Sequence, residues 1–250
     1  MKKAEKPPIC LLIGRGSRVV PILERFKKDA LSAQIICVIS HKALEANASG
    51  EKVDVPGIAL AKSAGIRTEY FNLVQMREAT REASEKTGKK FSEKKFRQDY
   101  FRILGAFICQ KYPVRPVAVF MQGWDLVVSD EFLRYFPGPK KGIYNVINFH
   151  PSLLPDKKGQ KDVALSNGRR IPVLKGEHTE VLEKALKYKL PAIGVTLHYT
   201  QVEADVGGLV IDRVEIPILP EDNFDSLDKR HAEAESKFMA EVVEKWARKY

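Results

Sequence analysis

Asn148 and His150 stand two positions apart at the end of an apolar, β-branched run, Ile143-Tyr144-Asn145-Val146-Ile147, and Pro151 follows at once. Strand side chains repeat every two residues, so an extended backbone sets the amide and the imidazole on one side. Proline cannot donate to a sheet ladder and biases the residue before it away from helix, which puts His150 at the carboxyl end of a strand. Open α/β sheets bind their ligands at that edge. An amide and an imidazole held there can donate hydrogen bonds to a developing oxyanion and move a proton. The same two side chains can also satisfy each other as a buried pair, and these residues alone leave both readings open.

The elements that must position this pair follow a βαβ rhythm, which implies a parallel, twisted sheet. Ile9-Cys10-Leu11-Leu12-Ile13 reads as a strand, Gly14-Arg15-Gly16-Ser17-Arg18 as a glycine turn, and Val19, Ile22, Leu23 and Phe26 as the apolar face of a helix. A helix amino terminus after such a turn favours an anion, so a phosphate fits there, although a bare Gly-x-Gly is a weak signal. Gln34-Ile35-Ile36-Cys37-Val38-Ile39-Ser40 and Val117-Ala118-Val119-Phe120-Met121 repeat the strand pattern, the latter leading into a second glycine-marked turn, Gln122-Gly123-Trp124-Asp125. Phe96, Tyr100, Phe101, Leu104 and Phe107 mark an amphipathic helix, and Ser129-Asp130-Glu131 a helix cap with an acidic first turn. Residues 156–173, rich in Lys, Gly, Asp and Asn, read as a mobile loop or small excursion. Residues 192–199 and 209–218 read as two strands joined by a connection too short for a crossover, hence antiparallel. A final helix begins at Asp222-Asn223-Phe224-Asp225 and runs to Trp246. With no repeat and no clear linker, residues 1–250 are expected to form one domain.

The bulk numbers narrow the class. At 250 residues and 44% hydrophobic content the chain can bury a full core, and no apolar run reaches bilayer length. The amino terminus lacks a signal-peptide core, and Cys10, Cys37 and Cys109 lie in apolar contexts without metal-ligand spacing, so buried free thiols and a cytoplasmic location are expected. The formal charge of +10 fits either a nucleic-acid surface or attraction of small anionic substrates. Its excess gathers in residues 86–95 and 157–170 without interleaved aromatics, which favours a solvated basic surface over a nucleic-acid partner.

Asn148-Phe149-His150-Pro151-Ser152-Leu153-Leu154-Pro155, followed by His198-Tyr199 and Asp205-Val206-Gly207-Gly208, resembles the formyltransferase family that uses 10-formyltetrahydrofolate. The resemblance runs from the glycine turn to the final helix. It implies a Rossmann-like open, mostly parallel sheet flanked by helices, with antiparallel strands near the C-terminal end. A phosphate-binding half would occupy about residues 8–140, and a catalytic and folate-binding half about 141–250. It also implies formyl transfer to the primary amine of glycinamide ribonucleotide in purine synthesis, with 10-formyltetrahydrofolate as co-substrate, no metal and no covalent enzyme intermediate. Partners would be small molecules, without nucleic acid or membrane, and the protein a monomer or homodimer. Asn148, His150 and Asp205 take the catalytic positions; Gly16, Ser17 and Arg18 hold the ribose phosphate; Glu235 contacts the sugar or amine side; Leu126, Val127, Val128, Val202 and Asp205 hold the folate. His178 falls in a Gly-x-His-Thr segment of the family, which alone is weak, while His41 and His231 carry no expected role. Arg18 stands where the family commonly has Asn. The pterin turn, usually Gly-Phe-Met-Arg-Ile-Leu-Ser, here reads Gly123-Trp124-Asp125-Leu126-Val127-Val128-Ser129. The same chemistry on another amine, such as a nucleotide-linked amino sugar or methionyl-tRNA, and a non-catalytic folate- or nucleotide-binding role are the alternatives.

Overall fold

The computed structural model describes residues 5–201 and 207–250. The chain runs β1 (Pro8–Ile13), a 3₁₀ turn (Ser17–Val19), α1 (Val20–Lys27), β2 (Gln34–Ser40), a two-stranded hairpin of β3 (Glu45–Ala46) and β4 (Lys52–Val53), α2 (Pro56–Ser63) and β5 (Thr68–Tyr70). It continues through α3 (Leu73–Lys86), α4 (Glu93–Lys111), β6 (Ala118–Gln122), α5 (Asp130–Leu133), β7 (Val146–His150), β8 (Asp162–Ala164) and β9 (Arg170–Pro172). Helix α6 (His178–Lys187), β10 (Ala192–Tyr199), β11 (Val210–Pro217) and α7 (Phe224–Lys249) complete it.

Seven strands form one sheet in the order β11-β10-β7-β6-β1-β2-β5. Strands β5, β2, β1, β6 and β7 are parallel, and β10 and β11 join antiparallel to their neighbours. The expected mixed sheet is therefore observed. Strands β1 and β6 are almost wholly buried, as strands covered on both faces must be. One face packs under α1, α2, α6 and α7, with Leu11, Ile13, Phe120, Val243 and Trp246 in that core; the other packs under α3, α4 and α5, with Leu12, Phe101, Leu104 and Phe132. From β1 the chain builds outward to β2 and β5, returns to β6 on the other side of β1, and continues to β7. The reversal leaves a crevice beyond the carboxyl ends of β1 and β6, where the turns after them diverge.

Three local expectations are narrowed or corrected. Residues 156–173 form the small excursion and not the mobile loop: β8 and β9 pair as a hairpin whose Val163, Leu165 and Ile171 form a small core with Leu153 and Ala192. Val163 and Leu165 point into this core while Ala164 between them is exposed, and Asn167-Gly168 makes the turn with Gly168 at φ 81°. Ser129 makes no side-chain cap, and the helix after it spans only the four residues of α5. The third concerns the cysteines: Cys10 and Cys37 are buried as expected, but Cys109 is only half-buried. Helix α7 has a better start than its sequence announces, since the Asn223 side chain accepts from Ser226 N while Ser226 Oγ accepts from Asn223 N.

Candidate active site

A cleft of about 650 Å³ opens at the switch point. Its floor is the end of β6 and β7, and its walls are the glycine turn after β1, the turn after β6, the start of α6 and one face of α7. Gly14 explains how close the two turns come: a Cβ there would lie 2.5 Å from the Gly123 carbonyl oxygen, so only glycine fits.

Asn148 and His150 sit on the last strand positions before Pro151, and both line the cleft. Asn148 is paired with Met121 of β6 and His198 of β10, and His150 with Thr196. Paired residues share a face, so His198 joins the two on one side of the sheet, its ring edge-on to His150 with centroids 6.4 Å apart. His150 is 2% exposed, and its Nε2 lies 3.3 Å from the Leu174 carbonyl oxygen. A carbonyl only accepts, so Nε2 carries a hydrogen in this contact. Ser152 Oγ donates to the same carbonyl at 2.7 Å, and buried Thr196 fastens the turn beyond by donating to Ser152 O at 2.7 Å and accepting from Leu154 N at 2.9 Å. The hairpin of β8 and β9 thus ends in the carbonyl that orients the histidine.

Val202 and Asp205 lie outside the described residues. The described residues on either side are tied down: Gln201 Nε2 donates to Gly207 O at 2.9 Å, and Gly208 N to Pro155 O at 3.0 Å. Gly207, at φ 72°, packs so that a Cβ would lie 2.5 Å from the Pro155 carbonyl oxygen. Gly207 and Gly208 are therefore anchored on the last residue of the Asn148–Pro155 block.

At the other end of the cleft the glycine turn sends its two arginines in opposite directions. Arg15 pairs with Glu45 at the surface, 2.7 Å away. Arg18 turns inward. Its guanidinium donates to Glu235 Oε2, and its Nη2 lies 3.0 Å from His178 Nε2 and 3.5 Å from Asp228 Oδ1. Glu235, with a side chain 4% exposed, accepts at its other oxygen from Gln122 Nε2 at 2.5 Å. His178 Nε2 contacts Asp228 Oδ1 at 2.5 Å. His231 Nε2 faces the carbonyls of Pro151 at 3.2 Å and Gly194 at 3.4 Å, while its Nδ1 lies 3.6 Å from Glu235 Oε2. Burial, then the neighbouring His178 and Arg18, push the His231 pKa down to about 3, so it is neutral at pH 7. His178 is lowered as well, chiefly by burial and next by Arg18, against the opposing pull of Asp228.

The turn after β6 forms the third wall. Trp124 is buried edge-on against His41, with centroids 4.7 Å apart. Asp125 lies 2.6 Å from His41 Nε2 and accepts from Lys42 at 2.8 Å. Burial alone would raise the Asp125 pKa, but those two partners hold it well below the usual carboxylate range. Leu126, Val127 and Val128 all line the cleft. They are not equivalent: Val127 is 59% exposed, whereas Val128 belongs to the core beneath α4.

The structure thus gathers Asn148, His150, Gly16, Ser17, Arg18, Glu235, Leu126, Val127 and Val128 around one cleft. It adds Gln122, His178, Thr196, Asp228 and His231. The α7 residues had a signal: Asp228, His231 and Glu235 repeat at three and four positions, a polar stripe on a helix face that is otherwise apolar. Gln122 also had one, as the single polar residue closing an apolar strand.

Residues 8–243 match the family model described as formyl transferase. The chain belongs to the formyl transferase family. Over 94% of its length it is 28% identical to the phosphoribosylglycinamide formyltransferase of Dictyostelium discoideum, covering 95% of that protein. It is 24% identical to the enzyme of the same name from Haemophilus influenzae, over 94% of this chain and 84% of that one. Glycinamide ribonucleotide transformylase 1 of Symbiobacterium toebii has the same fold, with a TM-score of 0.65 and 20% identity over 98% of this chain and 90% of that one. Among the described residues no helix is long and apolar enough to cross a membrane.

Proposed function

We propose that the protein transfers the formyl group of 10-formyltetrahydrofolate to the primary amine of glycinamide ribonucleotide. The observation that carries this reading is the joint position of Asn148 and His150 on one strand face, at the floor of a cleft whose far end is the Gly16 turn. The amine lone pair attacks the formyl carbon, forming a C–N bond and a tetrahedral oxyanion. Asn148 Nδ2 donates one hydrogen bond to that oxygen, and protonated His150 a stronger, charge-assisted one. Collapse breaks the bond from the formyl carbon to the folate nitrogen, the amine proton moves to that nitrogen, and tetrahydrofolate leaves. Asp205 serves this proton transfer and holds His150 in its charged form. The backbone amides of Gly16 and Ser17 receive the ribose phosphate at the start of the helical segment. Leu126, Val127 and Val202 flank the pterin, with Val128 supporting them from the core.

The test is direct. Purified protein with both substrates is expected to release tetrahydrofolate and formylated glycinamide ribonucleotide in equal amounts. If glycinamide ribonucleotide is inert while a sugar-nucleotide amine is formylated, the acceptor assignment is wrong.

A further inference from the structure

His178, His231 and Glu235 have the composition of a metal centre, and their ligand atoms lie within 4.8 Å of one another. A cation is already there, and it belongs to the chain. Arg18 donates to Glu235 and lies within 3.0 Å of His178 and 3.5 Å of Asp228. The cluster therefore carries one positive charge against the carboxylates of Glu235 and Asp228. Glu235 in turn has both oxygens engaged, by Arg18 and Gln122. An ion pair this deep resists separation, because either partner left alone is an uncompensated buried charge. A guanidinium with two carboxylates around it is a poor candidate to leave them for a third anion.

We infer that Arg18 is a positioning residue that fixes Glu235 toward the sugar of the acceptor, and that the acceptor's phosphate is held by the Gly16-Ser17 turn without it. The inference rests on the proposed acceptor. Two further contacts show how it reaches the reaction. Gln122, which shares Glu235 with Arg18, follows Met121, the strand partner of Asn148. His231, whose Nδ1 lies 3.6 Å from the same Glu235 oxygen that Arg18 engages, bonds the carbonyl of Pro151, the residue after His150. Arg18 thus holds a polar frame that touches both ends of the site, and its guanidinium fixes where the acceptor's sugar, and with it the amine, comes to rest.

The experiment compares Arg18→Asn with the parent on two acceptors, glycinamide ribonucleotide and the same molecule without its 5′-phosphate. A residue acting through Glu235 lowers kcat/KM for both acceptors by the same factor, about tenfold or more, because the sugar is common to them. A phosphate ligand would weaken only the phosphorylated one, and that result overturns the inference. A thermal-melting cycle over Arg18→Asn, Glu235→Gln and the double variant reads the pair without any substrate. The double variant is expected to melt above Arg18→Asn, since it removes the unpaired carboxylate. Strict additivity would also overturn the inference. If the parent turns over neither acceptor, the proposed function fails while the melting cycle still decides the pairing.

Discussion

The two ends of the cleft hold their polar groups by different means. At the Asn148 and His150 end, the chain uses strand register and backbone carbonyls: Leu174 orients the histidine, and Thr196 fastens the turn beyond it. At the Arg18 and Glu235 end, it uses charge against charge, drawn from three elements far apart in sequence. The difference has a chemical logic. Oxyanion donors act on charge that develops only in the transition state, so their orientation is best fixed beforehand by backbone contacts. A surface that recognises a sugar can be satisfied internally beforehand, because rigidity there reduces the ordering cost of binding.

Breaking the first end should have the largest effect. Asn148→Ala and Asp205→Asn are each expected to lower turnover at least about a hundredfold, equivalent to roughly 3 kcal/mol of transition-state stabilisation, while melting near the parent. Near-normal turnover in either purified variant would remove that end from the chemistry.

The charged end should be the more sensitive to acid. His231 has a folded pKa of about 3 against an ordinary 6.5, and it faces His178, Arg18 and Glu235. Below pH 6.5 the unfolded chain binds a proton that the folded protein refuses, so stability falls as pH falls through that range. Between pH 6.5 and 4 this single group accounts for roughly 3 kcal/mol at most. Urea unfolding at a series of pH values should therefore show a steeper acid loss for the parent than for His231→Asn. Equal slopes would mean that burial does not hold the imidazole neutral.

Smaller still is the expected effect of Thr196→Val, which leaves the Leu154 amide and the Ser152 carbonyl without this partner inside the protein. A stability loss of about 1–3 kcal/mol should appear in equilibrium unfolding. The least change is expected for Arg15→Ala. Arg15 shares the glycine turn with Arg18 but pairs with Glu45 at the surface, so its melting temperature should match the parent's, in contrast to Arg18→Asn.

Much of this was legible in the sequence, for physical reasons that also mark the boundary. The cores of strands β1, β2 and β6 are continuous apolar runs, and such runs carry their own assignment. Asn148 and His150 were legible because period-two geometry is local and Pro151 fixes where it stops. The inward turn of Arg18 was not, because its partners lie on α6 and α7, and nothing in Gly-Arg-Gly-Ser-Arg distinguishes the arginine that meets solvent from the one that meets Glu235. The hairpin of β8 and β9 was readable but obscured. The lysines just before it, Lys157, Lys158 and Lys161, suggested solvent, while Val163 and Leu165 two positions apart and the Asn167-Gly168 turn pointed to strands.

Helix α7 gives the site a time as well as a place. Arg18 and Glu235 are 217 positions apart, and His231 reaches back 80 positions to Pro151. Contacts of such separation form late, after the loop entropy between their ends has been overcome. During synthesis the sheet strands that carry Asn148 and His150 leave the ribosome well before α7, and until that helix docks, Arg18 has no Glu235 to hold. Acceptor recognition should therefore appear only with the last cooperative step of folding, so that partly folded chains draw no acceptor out of solution.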